Sequence, residues 1–175
     1  MTSNFILVKN NFIITSIKLK LTKNPVANFS YNAIKAELEK RKIYNPTIKE
    51  IRKIIYEIRM NKLPDPAKIG NAGSFFKNPI ISQNEFLQLK KLFPGIIFYP
   101  SDGDRIKIAA GWLIEQCGWK GKKVGNVGVH SAQALVLVNY GNASGEEILN
   151  LATEIKKSVK DKFGIELKEE INIYN

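Results

Sequence analysis

The order of apolar and polar positions predicts strands alternating with helices. Residues 12–21 alternate, with Ile13, Thr15, Ile17, Leu19 and Leu21 on one face and Ser16, Lys18 and Lys20 on the other. That period of two predicts a half-buried strand. A loop should follow at residues 22–28, and residues 31–41 carry apolar residues suited to a packed helix.

Three segments carry the Ser/Thr-x-x-Glu pattern, in which side chains cap the first turn of a helix. These patterns, known as capping boxes, begin at Thr47, Ser82 and Ser144. The first predicts a helix that runs to about Asn61 and stops before Pro64. The second predicts a short helix that ends at residues 94–95, and the third predicts the longest helix, which Gly164 ends.

The remaining segments predict three strands, a further helix and a loop. The strands are expected at residues 96–99, 134–138 and 165–173, with Glu170 on the polar face of the last. A turn at 101–103 should lead directly into a helix from Ala109 to Cys117, which Gly118 caps. Residues 119–128 are rich in Gly and Lys and are expected to form a loop. The mixed order of elements predicts the α+β class.

Composition limits where the protein works. Hydrophobic residues make up 44% and charged residues 25% of the 175 residues, which is typical of a soluble globular chain. We find no run of about 20 apolar residues and no signal-peptide pattern at the N-terminus. Cys117 is the only cysteine, which excludes a disulfide framework and a zinc site of several cysteines. We therefore expect a cytoplasmic protein that does not contact a membrane.

The net charge of +11 has three interpretations. It can reflect a general bias towards Lys, Ile and Asn, it can favour phosphate-bearing small molecules, or it can indicate a polynucleotide partner. The Lys and Arg residues are spread along the chain and form no dense basic tract, which weakens the polynucleotide interpretation.

Common catalytic and cofactor motifs are missing from the sequence. It contains no P-loop, no strand-linked G-x-G-x-x-G, no H-E-x-x-H and no C-x-x-C. His130 is the only histidine, and nothing beside it suggests a nucleophile elbow. The sequence thus predicts no metal site and no residues that hold a dinucleotide cofactor.

Four blocks nevertheless resemble one family in order and spacing. They are Lys-Leu-Pro-Asp-Pro at 62–66, Gly-Asn-Ala-Gly-Ser-Phe-Phe-Lys-Asn-Pro at 70–79, Ala-Ala-Gly-Trp-Leu-Ile-Glu-Gln-Cys-Gly at 109–118, and His130 followed by residues 133–139. The chain resembles the UDP-N-acetylenolpyruvoylglucosamine reductases, the MurB family, from about Phe5 to its C-terminus. Four linked motifs are far more specific than any one of them.

The resemblance implies a fold and a reaction. Residues 1–63 would be a remnant of the FAD-binding domain, residues 64–164 the substrate-binding domain, and residues 165–175 a C-terminal strand that carries Glu170. In this family NADPH gives hydride to FAD, and the reduced flavin reduces UDP-N-acetylglucosamine enolpyruvate to UDP-N-acetylmuramate for peptidoglycan. The implied protein is an NADPH-dependent flavin oxidoreductase.

The resemblance also implies roles for single residues. Ser74 matches the proton donor, and Glu170 matches a second catalytic group. The positions that hold the UDP-sugar match Tyr31, Lys62, Asn78, Tyr99, Lys107 and Gln133. Tyr99 resembles a loop tyrosine that closes over substrate, and Lys120 lies in a matching loop.

Read without the resemblance, each residue has an ordinary structural interpretation. Ser74 could be a turn or N-cap residue, Glu170 a solvated carboxylate, and Lys62 and Lys107 surface lysines. The tyrosines could be rim or core residues. His130 is expected to form a structural hydrogen bond, while Trp112 and Trp119 are expected to pack. A serine is a poor acid, but it can protonate a carbanion, which is strongly basic.

The chain departs from the family because the Gly- and Ser-rich loops that hold FAD are not in it. We therefore expect this chain alone to bind neither FAD nor NADPH and to be inactive, with a separate FAD-binding domain as a candidate partner. Two alternatives stay open: a non-catalytic module that binds UDP-sugars, and a basic nucleic-acid-binding domain. The second requires steeply salt-dependent binding.

Overall fold

The computed structural model describes residues 15–23, 25 and 31–173. The chain divides into two compact units, Met1–Ile51 and Arg52–Asn175. Helix α1 (Asn32–Lys40) lies in the first unit, as the apolar spacing of residues 31–41 predicted. Helix α2 (Ile48–Lys62) begins in the first unit and ends in the second.

The first capping box forms as predicted. The backbone N–H of Thr47 donates to the Glu50 carboxylate at 2.8 Å, and the Glu50 N–H donates to the Thr47 hydroxyl at 3.3 Å. These two bonds satisfy amides that the first turn leaves without partners. Near the end of α1, Arg41 forms an ion pair with Glu37 at 2.6 Å.

The predicted strand at residues 12–21 is wrong over the part that the structure describes. Residues 15–22 have no regular secondary structure, and Ile17, Leu19 and Leu21 are each more than 70% exposed. Residues 12–14 lie outside the described residues. Alternation selects a face, but a strand also needs a neighbour to receive its backbone hydrogen bonds. None of the described strands pairs with this segment.

The second unit contains two antiparallel sheets. The four-stranded sheet has the order β1 (Gly70–Ser74), β7 (Val136–Asn139), β6 (Val127–Val129) and β5 (Lys123–Val124). The three-stranded sheet has the order β2 (Ile80–Ser82), β4 (Arg105–Ile108) and β3 (Phe98–Pro100). Besides the end of α2, the described part of this unit contains the helices α3 (Gln83–Leu92), α4 (Ala110–Gln116) and α5 (Gly145–Phe163). The α+β prediction is confirmed.

Helix α5 supplies one wall of the core. Its apolar stripe consists of Leu151, Ile155, Val159 and Phe163, which are buried, and the half-buried Ile148. The stripe belongs to the same apolar cluster as residues from strands β6 and β7 and helix α4. The Ser144 capping box begins the helix and Gly164, with φ of 69°, ends it. Among the described helices, none is long and apolar enough to cross a membrane.

Other helix ends also follow the sequence. The Ser82 box begins α3, which ends at Leu92 just before the expected Pro-Gly stop. Helix α4 ends at Gln116 with Cys117 as its C-cap residue, and Gly118 follows with φ of 76°. The left-handed conformation there suits glycine because it has no Cβ.

Two predictions need correction because strands form where none was expected. Strand β4 lies between the 101–103 turn and helix α4, where we expected the helix to follow directly. Residues 119–128 include β5 and the first residues of β6, so they are not simply a loop. Short strands of this kind are specified by the partner strand more than by their own sequence. Strands β3 and β7 lie within one or two residues of the segments predicted for them.

The C-terminal segment 165–173 is extended but is not a strand of either sheet. It forms one isolated bridge, between Phe76 and Glu169. Its burial alternates as predicted, with Ile165 and Leu167 buried. The segment therefore buries the expected side chains. Its backbone pairs with the chain near Phe76 over too few residues to form a regular strand pair.

Candidate functional site

Ser74 lies at the end of β1, where the strand becomes irregular. The register of β1 on β7 shifts between Asn71 and Ser74, and Ser74 is paired with Val136. Within the turn, the Asn71 side chain accepts a hydrogen bond from the Gly73 N–H at 3.1 Å, and Gly73 has φ of 73°. This bulge leaves Ser74 exposed. In the described part of the chain its hydroxyl has no hydrogen-bond partner, which suits a group that acts on a ligand.

Glu170 is hydrogen-bonded to the backbone of Phe75, the residue that follows Ser74. The Glu170 N–H donates to the Phe75 carbonyl at 2.8 Å, and the Lys77 N–H donates to the Lys168 carbonyl at 2.8 Å. These bonds hold the C-terminal segment along residues 75–77. The backbone at Glu170 therefore lies close to the segment that follows Ser74, although 96 positions separate the two residues in the sequence.

Asn78 holds the start of helix α4. Its Oδ1 accepts a hydrogen bond from the Ala110 N–H at 2.9 Å. The N-cap residue of that helix, Ala109, has no side chain that could cap it, so Asn78 supplies the missing acceptor from a distant part of the sequence. Its amide nitrogen has no partner among the described residues and remains available for a ligand.

Gln133 lies close to helix α4 and to Leu135, which is hydrogen-bonded to the residue after Ser74. Its Oε1 accepts from the Leu135 N–H at 3.4 Å, and it would lie 3.5 Å from a Cβ placed on Gly111. The Leu135 carbonyl in turn accepts from the Phe75 N–H at 2.8 Å. Successive hydrogen bonds and sequence neighbours therefore link the segments that carry Asn78, Gln133, Ser74 and Glu170.

Tyr99 and Lys107 face each other in the three-stranded sheet. They are direct partners in the β3–β4 pair, and Lys107 is also opposite Ile80 of β2. Tyr99 is about half exposed, at 49%. The Ile108 N–H donates to the Pro79 carbonyl at 2.9 Å, which ties the end of β4 to the segment that carries Asn78.

The other residues that the sequence singled out lie on other elements. Lys62 is the last residue of α2 and is exposed. Lys120 forms an ion pair with Glu115 at 2.9 Å. Tyr31 is the N-cap residue of α1 in the first unit and is 78% exposed. His130 accepts a long bond from the Ala132 N–H at 3.3 Å, in keeping with the structural role expected for it.

Arg59 is a site candidate that the sequence analysis missed. It lines a cleft of about 380 Å³ beside the β1 turn, and Asn71 and Gly73 form the opposite wall. Lys62 is not among the residues that line this cleft. Arg59 lies four residues before Leu63, which directly follows α2 and also lines the cleft; this spacing is the signal that could have identified it.

A wider cavity of about 670 Å³ lies between β1, β7, the start of α5 and residues 171–173. Its walls are largely apolar and include Phe75, Leu137, Ile148, Leu149 and Ile171. Neither Ser74 nor Glu170 lines it. The cavity nevertheless borders the predicted site, because Phe75 and Ile171, which follow Ser74 and Glu170 in the sequence, both line it.

Two further observations limit the chemistry. Burial raises the pKa of Cys117, whose thiol lies 3.5 Å from the Ser158 carbonyl. Cys117 thus stays protonated and is a poor nucleophile. Among the described residues, no group of three or more His, Cys, Asp and Glu side chains is placed to hold a metal ion.

Comparison with known proteins identifies the family. Residues 65–174 match the sequence model of the UDP-N-acetylenolpyruvoylglucosamine reductase C-terminal domain. The match covers more than half of the chain, so the protein belongs to this family. The antiparallel α+β fold and the loop that presents Ser74 both lie within the matched region.

Curated relatives agree with this assignment. The UDP-N-acetylenolpyruvoylglucosamine reductase of Flavobacterium johnsoniae is 53% identical over 167 residues, which are 95% of this chain and 50% of the relative. The reductases of Pseudomonas savastanoi pv. phaseolicola and Bacteroides fragilis are 47% and 45% identical over 93% and 91% of the chain. The matched parts are 48% and 47% of those two relatives. The chain therefore spans about half the length of the curated relatives it matches.

Proposed function

We propose that this chain is the substrate-binding part of UDP-N-acetylmuramate dehydrogenase, a cytoplasmic enzyme of peptidoglycan synthesis. The reaction reduces UDP-N-acetylglucosamine enolpyruvate to UDP-N-acetylmuramate with NADPH through FAD. One observation carries the proposal: the Glu170 N–H donates to the carbonyl of Phe75, the residue that follows Ser74. Family membership supports the same assignment.

The chemistry of these residues fits the end of such a reaction. Reduction of an enolpyruvyl group leaves a carbanion, or its enol, next to a carboxylate. The Ser74 Oγ would give its proton to that carbon, because the carbanion is a far stronger base than an ordinary acceptor. Glu170, when protonated, would donate a hydrogen bond to the enol oxygen.

The polar residues around this pair fit an anionic sugar nucleotide. Asn78 and Gln133 offer amide groups, while Lys107 offers a positive charge beside the aromatic ring of Tyr99. Binding of a diphosphate by such residues agrees with the net charge of +11. Tyr31, Lys62 and Lys120 are proposed to contribute from their own elements, on the basis of the family resemblance alone.

The flavin does not fit the described residues. In Rossmann folds a glycine-rich turn at the start of a helix cradles the phosphates of a dinucleotide. None of the described helices begins with such a turn after a strand, and the sequence has no G-x-G-x-x-G. We therefore propose that FAD and NADPH are bound by a separate flavin-binding domain, and that this chain without it is inactive.

Titration with UDP-N-acetylglucosamine, followed by heteronuclear NMR, tests the binding part of this proposal. Saturable shifts at Asn78, Tyr99, Lys107 and Gln133 are expected, with smaller shifts at Ser74. Cytidine diphosphate serves as a control, because it keeps the diphosphate but changes the base. An absence of shifts at millimolar ligand would contradict binding by this chain.

A further inference from the structure

The three-stranded sheet has one apolar face and one polar face. On the apolar face Ile108 is fully buried, Ile106 is half-buried, and Phe98 packs on Phe86 with ring centroids 4.5 Å apart. Side chains alternate along a strand, so Arg105 and Lys107 of β4 both lie on the opposite face. Tyr99 and Ile80 lie on this outer face too, because they are the cross-strand partners of Lys107.

Arg105 is held in place on this outer face. Its Nε donates to the Asp102 carbonyl at 3.3 Å, which fixes the plane of the guanidinium near the turn. Its partner across the β2–β4 pair is Ser82. Among the described residues, no carboxylate lies within ion-pair distance of Arg105 or Lys107, so both charges remain available.

The spacing of the two cations suits a diphosphate. Residues two apart on a strand are separated by roughly 6.7 Å, since each residue advances the chain by about 3.3–3.4 Å. Two long side chains at that spacing can each reach one phosphate of a diphosphate. Arginine adds a flat pair of N–H donors that bind two oxygens of one phosphate together. The ring of Tyr99 borders the same face and offers a surface for a base or sugar.

We propose that Arg105 is a further substrate-binding residue, which binds the diphosphate of the sugar nucleotide together with Lys107. This inference rests on the proposed function, because it names an additional contact for that same ligand. It predicts that this chain binds diphosphates through the outer face of the three-stranded sheet.

The test measures the dissociation constants of UDP-N-acetylglucosamine and of inorganic pyrophosphate by NMR titration at low salt. Four proteins are compared: the unchanged chain, Arg105→Gln, Arg105→Lys and Lys91→Gln. The last removes one exposed positive charge from helix α3 and controls for net charge. Thermal unfolding of each variant shows whether it is folded.

We expect Arg105→Gln to weaken both ligands about tenfold, as for loss of a charged hydrogen bond. Arg105→Lys should recover part of that loss, although it also removes the bond to Asp102. A purely structural role for that bond would make Lys as harmful as Gln, and this result would overturn the proposal. Lys91→Gln should change the constants less than about twofold by screened long-range charge alone.

Failure of this inference and failure of the proposed function give different results. If UDP-N-acetylglucosamine binds the unchanged chain and Arg105→Gln equally well, the role of Arg105 is overturned and the proposed function stands. In another outcome, Arg105→Gln weakens pyrophosphate binding while the sugar nucleotide binds the unchanged chain no more tightly than pyrophosphate does. That result would support the anion site and contradict the proposed function. If neither ligand binds at millimolar concentration, both are overturned.

Discussion

Asn78 caps a helix that begins 32 residues after it. Its Oδ1 accepts the Ala110 N–H at 2.9 Å, and the N-cap residue Ala109 offers no side-chain acceptor of its own. The same residue is proposed to bind substrate. Asn78 can serve both purposes, because the bond to helix α4 uses only its oxygen and leaves its nitrogen available.

Two substitutions at Asn78 should separate these purposes. Asn78→Ala should lower the free energy of unfolding by about 1–2 kcal/mol, since α4 loses its cap. Asn78→Asp keeps an acceptor at a helix N-terminus and should stay within about 0.5 kcal/mol of the unchanged chain. Urea denaturation measures both values. Equal stability of the Ala variant and the unchanged chain would show that the cap is unimportant.

Asn78→Asp should weaken substrate binding, although it should hardly change the stability of the fold. This variant keeps the fold but replaces an N–H donor with a negative charge. We expect weaker binding of UDP-N-acetylglucosamine, because the carboxylate repels the diphosphate. Titration of the folded variant provides the measurement, and unchanged affinity would remove Asn78 from the substrate site.

Ser74→Ala should stop turnover without changing the fold. Once a flavin-binding half is supplied, for example as the preceding half of the Flavobacterium johnsoniae relative, we expect turnover to fall about 10²–10⁴-fold. Affinity for the sugar nucleotide should stay nearly constant, since the proton moves only during reaction. NADPH oxidation measures the rate.

Ser131→Ala is the matched control for that experiment. Ser131 is another exposed serine in the second unit, and it is not among the proposed site residues. Its variant should retain turnover. If Ser74→Ala retained the same turnover as Ser131→Ala, Ser74 could not be the proton donor.

Gly128→Ala should destabilise the second unit. A Cβ at this position would lie 2.7 Å from the Lys122 carbonyl oxygen and 2.9 Å from a ring carbon of Tyr140. The backbone of the β5–β6 hairpin would have to move, at a cost of about 1–3 kcal/mol. Gly95→Ala is the control, because no atom lies within 4 Å of its Cβ position. Similar unfolding free energies for the two variants would contradict this account.

Acid should weaken the cap of helix α3. A hydrogen bond from the Ser82 hydroxyl, followed by one from the Ser82 backbone, lowers the pKa of Glu85 below its ordinary value of 4.5. A carboxyl whose pKa is lowered on folding stabilises the protein above its unfolded pKa. That contribution is lost as the pH falls through the folded pKa. The stabilising effect of Glu85 should therefore be complete above about pH 5 and disappear at lower pH.

Ser82→Ala tests the cause of this shift. Loss of the hydroxyl should raise the pKa of Glu85 towards 4.5, which an NMR titration of the carboxyl carbon follows. Glu50 is an internal control, because its pKa is lowered by Thr47 and should not change in this variant. An unchanged pKa of Glu85 would mean that another group lowers it.

Local signals in the sequence predicted the helices well. The boxes at Thr47, Ser82 and Ser144 form, and Gly164 adopts the left-handed conformation that ends α5. Each signal depends on residues within one turn of one another. Their geometry is therefore specified before the rest of the chain is placed.

Pairing between distant segments was predicted less well. Residues 105–108 alternate between cationic and apolar side chains, yet their four positions looked like the approach to a helix. They become strand β4 because β2 and β3 pair with them on both sides. Residues 15–21 show the reverse case, since a longer alternation forms no strand in the described part of the chain.

The sequence by itself determined the family, the caps of the helices and the residue types at Ser74 and Glu170. Only the tertiary structure decided that Glu170 meets the backbone beside Ser74, that Asn78 caps α4, and that Arg105 shares a face with Lys107. The physical reason is the range of the interactions. Caps and periodicity act over a few residues, whereas a site forms when backbone hydrogen bonds join segments that are far apart in the chain.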